Sequence, residues 1–369
     1  MRSNRRAMRC TAIELSRRSS VRKRFASPLI AFTLAVAASA AAPTHSFADE
    51  NGVSFWIPGF FGSLAATPQQ PGWSSAAINY YTNVSASGNA ALSKEITIGQ
   101  FNPALNASIN ANVSARADIG FFAPSYVFAT PFLGGQASVS LLMAYGRNDT
   151  ALNGTLSGTV GPIPFTKTID LSQTTSGIGD LAPQFAVRWN SGVNNYIAYI
   201  TGDIPVGVYS ASSLANLGIG HGAIDGGVGY TYFNPQTGHE FSAVTGLTGN
   251  FENTATGYTN GIDWHLDWGA SQFLTKQLQV GLVGYFYDQL TPDSGCASIL
   301  CPFESRVIGV GPQLGYLFPV GDMQGYLNLK GYKEFDNADR PDGYNVWLTL
   351  VLSPKAPEAT VPPVVTKAR

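Results

Sequence analysis

From Leu105 to Ile119 the chain alternates without a break between two chemical classes. Leu105, Ala107, Ile109, Ala111, Val113, Ala115, Ala117 and Ile119 are apolar, and Asn106, Ser108, Asn110, Asn112, Ser114, Arg116 and Asp118 are polar. Side chains on a strand point to opposite faces in turn, so the stretch is one strand with an apolar face and a wet face. Strands of soluble sheets usually run to about 5–6 residues, whereas a tilted strand crossing an outer membrane needs about 9–11. The length favours the membrane. A long amphipathic strand in a soluble β-sandwich is the alternative.

Composition sharpens that choice. Charged residues make up 12% of the 369-residue chain, against about 25% in an ordinary soluble domain. After the N-terminus no apolar run is long enough for a transmembrane helix. A barrel hides its hydrophobicity by alternation, which fits a mean hydropathy of only +0.04.

Residues 1–48 read as a cleaved secretory signal peptide. Nine basic residues between Arg2 and Arg24 precede an apolar run from Phe25 to Ala42, and Ser46-Phe47-Ala48 puts cleavage before Asp49. The segment holds nine of the 22 basic residues and one of the 23 acidic ones, leaving 13 against 22. Such an acidic mature chain argues against nucleic-acid binding. Cys296 and Cys301 remain as a pair in one loop, which in an exported protein points to a disulfide. Two thiols without a nearby histidine make only half a metal-ligand set, so no metal and no other cofactor is expected.

Beyond Trp73, apolar alternation recurs in twelve segments ending near Ala86, Ala129, Gly146, Trp189, Tyr209, Phe233, Phe251, Phe273, Leu290, Phe318, Phe335 and Leu352. Short connections such as Asn190 to Asn194 and Thr275 to Gln277 alternate with longer ones such as Arg147 to Ser172 and Ser210 to Gly220. Outer-membrane barrels alternate short periplasmic turns with longer extracellular loops, and a Greek-key sandwich does not. The spacing therefore predicts an all-β, transmembrane, antiparallel up-and-down β-barrel of about twelve strands, within ten to fourteen, over residues 73–353. Phe132, Trp189, Tyr196, Phe233, Phe241, Phe273, Phe318 and Tyr326 lie by the short turns and are expected to form an interfacial girdle. The Pro-rich tail 354–369 is expected to be disordered.

Lipid-facing charge is costly, so parity assigns the charged side chains to the lumen. The candidates are Arg116, Asp118, Asp180, Arg188, Asp203, Asp225, Glu240, Asp263, His265, Asp267, Lys330 and Glu334. They either tune what passes through a water-filled path or brace the wall as interior ion pairs, as Arg188 with Asp180 would do. Ahead of the strands, residues 49–72 carry Phe55, Trp56, Phe60 and Phe61 in a segment broken by Pro58 and Gly59. It reads as a plug folded into the lumen or as a segment on the periplasmic rim. His265 between Asp263 and Asp267 is the one constellation that invites an enzymatic reading, as in a membrane-embedded lipid hydrolase. Parity turns it to the lumen and no serine stands out as its nucleophile, so no catalytic residue is assigned.

Several motifs resemble one family. Gly179-Asp180-Leu181 followed by Trp189, then Ile204-Pro205-Val206-Gly207-Val208-Tyr209, Asn216-Leu217-Gly218 and Asp225-Gly226-Gly227-Val228-Gly229-Tyr230-Thr231-Tyr232 are similar to the family of the MetA-pathway of phenol degradation. The likeness runs on through Glu252-Asn253, His265-Leu266-Asp267, Gly311-Pro312 and Trp347, and Ser54-Phe55-Trp56-Ile57-Pro58-Gly59 is similar to the opening of one branch. The resemblance implies an outer-membrane barrel linked to uptake of aromatic or other hydrophobic compounds and supplies no list of binding residues. Expected partners are outer-membrane lipid, the barrel assembly machinery and a small hydrophobic or aromatic solute. A structural or surface-interaction barrel, whose loops matter more than its lumen, is the second reading.

Overall fold

Twelve antiparallel strands close into a barrel in simple up-and-down order, with β1 completing the seam against β12. The computed structural model describes residues 54–87, 106–160, 163–295 and 304–356. The signal segment, both cysteines of the expected disulfide and most of the C-terminal tail lie outside the described residues. The strands are β1 (Gly72–Ser87), β2 (Asn106–Val127), β3 (Gln136–Val160), β4 (Ile163–Ser191), β5 (Asn194–Asp203), β6 (Ala223–Asn234), β7 (His239–Asn250), β8 (Asp263–Phe273), β9 (Leu278–Gln289), β10 (Arg306–Val320), β11 (Met323–Ala338) and β12 (Asp342–Pro354). Closure pairs every strand on both sides, which is what a sheet in hydrocarbon requires.

The wall is uneven in height. β5 to β9 have 10 to 12 residues, close to one tilted bilayer crossing, whereas β2, β3 and β4 have 22, 25 and 29. The stretch from Arg147 to Ser172, expected as a loop, is instead the upper part of β3 and β4, paired rung by rung to Val160 and Ile163. The segment expected to end near Tyr209 stops at Asp203, because Pro205 and the turns after it leave the ladder.

The extension inverts the usual barrel polarity. Phe122, Tyr145 and Ile178 mark the top of the outward apolar band, at 49, 65 and 52% exposed. Above them the outward positions become Asp118, Arg116, Arg147, Asp149 and Thr174, while Val113, Leu152 and Ile169 are buried on the inner face. Leu214 and Ala215, from the connection between β5 and β6, are buried as well, and this connection bonds to the inner face through Gln173 and Thr175. Once the strands rise clear of lipid, water lies outside, and the apolar face turns inward as in a soluble sheet.

One irregularity keeps both halves of β4 in phase with β3. Met143 pairs with Leu181 and Tyr145 with Ile178, so Gly179 and Asp180 together oppose Ala144. This bulge flips the parity of β4: even positions face the lumen below it and odd positions above it.

Candidate functional site

The residues from Ser54 to Gln69 run across the barrel interior, and the wall side chains that hold them define its inner face. Asp267 on β8 accepts the backbone N–H of Gly59 at 2.9 Å and of Phe61 at 3.0 Å. Three strands further round the wall, Nζ of Lys330 on β11 donates to the carbonyls of Gly59, Phe60 and Phe61 at 2.5, 3.1 and 3.1 Å. Glu240 on β7 accepts Leu64 N–H at 2.9 Å, Thr231 on β6 accepts Ala66 N–H at 3.0 Å, and Gln136 on β3 exchanges two hydrogen bonds with the Gln69 backbone. An irregular segment inside a barrel has no ladder to satisfy its backbone, so the wall must supply the partners.

The apolar side chains of the same segment gather on one side. Trp56, 4% exposed, lies flat on the imidazole of His265, with Phe60, Phe61 and Tyr199 around it. Phe60 also meets Trp347, which stacks with Phe121 and touches Tyr80. Phe55 is half-buried and stands outside this cluster. Gly59 takes φ +85°, and a Cβ there would stand 2.9 Å from the Tyr332 ring, so only glycine fits.

Beneath Trp56 is a buried polar network. His265 Nε2 is 3.0 Å from Asp225 Oδ2 and 3.3 Å from the Tyr199 hydroxyl, and Thr248 donates to the same Asp225 oxygen at 2.7 Å. Asp263 accepts from Asn250 Nδ2 at 2.9 Å. Glu240 also accepts from Ser242 and Ser271, and Glu334 accepts from the Tyr285 hydroxyl, Gly343 N–H and Asn345. Asp203 sits at the end of β5 with one carboxylate oxygen buried and unbonded.

Two expected lumen residues lie on the other side of the wall. Arg116 and Asp118 face outward: Arg116 is 57% exposed and pairs with Asp149, which Arg147 also grips, and Asp118 accepts from Asn79. Arg116 and Asp149, with Asn83 and Thr174, line an outer groove of about 340 Å³. The rule that sends charge inward applies within lipid, and these residues stand above it. The proposed ion pair of Arg188 with Asp180 is also absent. Asp180, at the bulge, accepts Gly207 N–H at 2.7 Å and Ile219 N–H at 2.8 Å and so ties the β5–β6 connection to the wall, while Arg188 donates to Ser138 at 3.1 Å. In the expected girdle, Phe233, Phe273 and Tyr326 take inward register positions opposite Glu240, Gln279 and Leu317.

Tyr199, Tyr285, Tyr332 and Trp347 also line the interior, beyond the charged residues and the plug aromatics that the sequence singles out. Parity is the available signal: Trp347 shares its face of β12 with Asn345 and donates its indole N–H to the Asn345 amide oxygen.

A closed antiparallel barrel with a belt of outward apolar side chains, a charged interior and an internal segment defines a transmembrane β-barrel of the outer-membrane type. The chain belongs to the family of the MetA-pathway of phenol degradation, whose model matches residues 95–350. Among solved structures it is similar to the COG4313 outer membrane channel from Pseudomonas putida F1, with a TM-score of 0.57 and 12% identity, over 78% of this chain and 97% of that one. A Pseudomonas aeruginosa FadL homologue aligns over 85% of this chain and 97% of that one at a TM-score of 0.38 and 9% identity. Among curated proteins no match is found. The family and fold place the protein in the outer membrane.

Proposed function

We propose that this barrel admits small hydrophobic or aromatic compounds passively, on the way to their breakdown, and that residues 54–71 act as a removable plug. The observation that carries the reading is the cluster of Trp56, Phe60 and Phe61, packed on wall aromatics within an interior rich in buried carboxylates. A water-filled polar pore offers a greasy solute nothing to bind, whereas this cluster offers ring faces where the segment packs on the wall. A solute that inserts among these rings replaces contacts of the segment with contacts of its own, so passage and displacement are coupled. Nothing in the sequence binds a nucleotide, and the driving force is the concentration gradient. Insertion would be the task of the barrel assembly machinery.

Deletion of residues 54–71 tests this reading. It is expected to raise single-channel conductance and to abolish saturable uptake of an aromatic solute into liposomes; unchanged conductance and uptake per folded barrel would end the plug model. A surface-interaction role is favoured by one feature, the groove around the Arg116–Asp149 ion pair above the lipid band. Shortening β3 and β4 above Tyr145 and Ile178 separates the two, since transport through the lumen survives that change and surface binding does not.

A further inference from the structure

Arg188 is an interior cation left without an ionic partner among the described residues. Its register opposite Gln136 and Ile197 turns it toward the lumen below the bulge in β4. Nη1 donates to Ser138 Oγ at 3.1 Å, Nε is buried with no acceptor, and none of the ion pairs within 4.0 Å involves this residue. Lys330, by contrast, spends its charge on three carbonyls of the internal segment. Arg188 is half-buried with its Nε out of reach of any acceptor, and the planar fork of a guanidinium matches a carboxylate through two parallel hydrogen bonds.

An aromatic surface lies one inward step away. Ala186, about 7 Å along the same face of β4, pairs with Tyr199 on β5. The Tyr199 ring is 5.4 Å from that of Phe61 and 6.0 Å from that of Trp56. A cation and a group of rings thus stand within the span of one small molecule.

We propose that Arg188 is a solute-binding residue that takes the carboxylate of an aromatic acid, whose ring lies toward Tyr199 and Phe61. This deepens the transport reading above and rests on it. The rest of the interior is rich in carboxylates, Asp225, Glu240, Asp263, Asp267 and Glu334, which repel an anion. A single unpaired arginine therefore distinguishes an acid from its neutral analogue, and does so by position rather than by net charge.

Calorimetric titration of the full-length protein in detergent with sodium benzoate and with benzyl alcohol tests the assignment, alongside uptake of both into liposomes. Arg188→Gln is expected to weaken benzoate at least tenfold and to leave benzyl alcohol unchanged, with Arg188→Lys in between. A wild-type protein that binds no benzoate, or equal benzoate affinity in wild type and Arg188→Gln, overturns the proposal. So does parallel loss of both ligands in a variant that keeps the heat-modifiable gel shift of a folded barrel. If neither solute enters liposomes while the difference in benzoate binding stands, the transport reading falls and the binding site remains.

Discussion

The indole of Trp56 and the imidazole of His265 stack with centroids 3.7 Å apart and an angle of 11° between their planes. One ring belongs to the internal segment and the other to the wall, and behind the imidazole stand Asp225 and Tyr199. The stack joins the apolar side of the segment to the buried polar network of β5, β6 and β8. Truncating a buried aromatic side chain costs about 3–5 kcal/mol. Trp56→Ala is therefore expected to loosen the segment without unfolding the barrel. Hydrogen exchange would show faster exchange at Gly59 and Phe61, with the strand amides unchanged.

Asp267 and Lys330 grip opposite sides of the same backbone turn. The carboxylate takes N–H groups of Gly59 and Phe61, and the ammonium takes the carbonyls. Hydrogen bonds to charged groups contribute about 1.5–3 kcal/mol each. Asp267→Asn and Lys330→Met should each raise open-channel occupancy in planar bilayers about tenfold or more. The double variant should open less than the product of the two, since each substitution removes support for one shared turn. Strict additivity would show that the two residues act on separate parts of the segment.

Gly59→Ala is a backbone test of the same turn. A left-handed φ of +85° disfavours any Cβ by about 1–2 kcal/mol, and the Tyr332 ring leaves no room for one. The expected outcome is a folded barrel with a released segment, read as raised conductance and as protease cleavage between residues 54 and 71. Wild-type conductance from this variant would mean that the segment is held elsewhere.

Removing the segment also exposes Asp267 and Glu240, whose oxygens now face its N–H groups. The enlarged pore is expected to prefer cations, with a reversal potential in a salt gradient that shifts accordingly and that weakens at high salt. Asp267→Asn combined with the deletion should reduce the preference. An anion-selective deletion variant would contradict the carboxylate-lined interior.

The outward position of Arg116 and Asp118 gives a contrasting pair of outcomes. Arg116→Leu and Asp118→Leu are expected to leave conductance and ion selectivity unchanged, because these side chains do not reach the lumen. Leu152→Asp, at a fully buried inner position of the same extension, should instead loosen the upper part of β2 to β4. Limited proteolysis of intact cells distinguishes the two, with new cleavage expected in the second case alone.

Alternation along the chain sufficed for the class of fold, the twelve strands and most of their order, because a period of two and a loop pattern are local properties. It also sufficed for the inward position of Asp263, His265 and Asp267, which alternate with Trp264, Leu266 and Trp268 within the lipid band. What alternation cannot state is which solvent lies on each face. The strand from Asn106 showed two unlike faces, and only its height above the apolar band decided that the polar one looks out. Nor does local pattern reveal which wall carboxylate meets the internal segment: Gly59 and Asp267 are 208 residues apart and meet because closure and stagger bring β8 under the turn. Asp180 and Arg188 have separate roles because eight residues of one extended strand hold them roughly 26 Å apart, beyond the reach of an ion pair. The sequence by itself determined a barrel with two chemically distinct faces, and the tertiary structure decided which face is inside at each height and which side chains hold the segment within it.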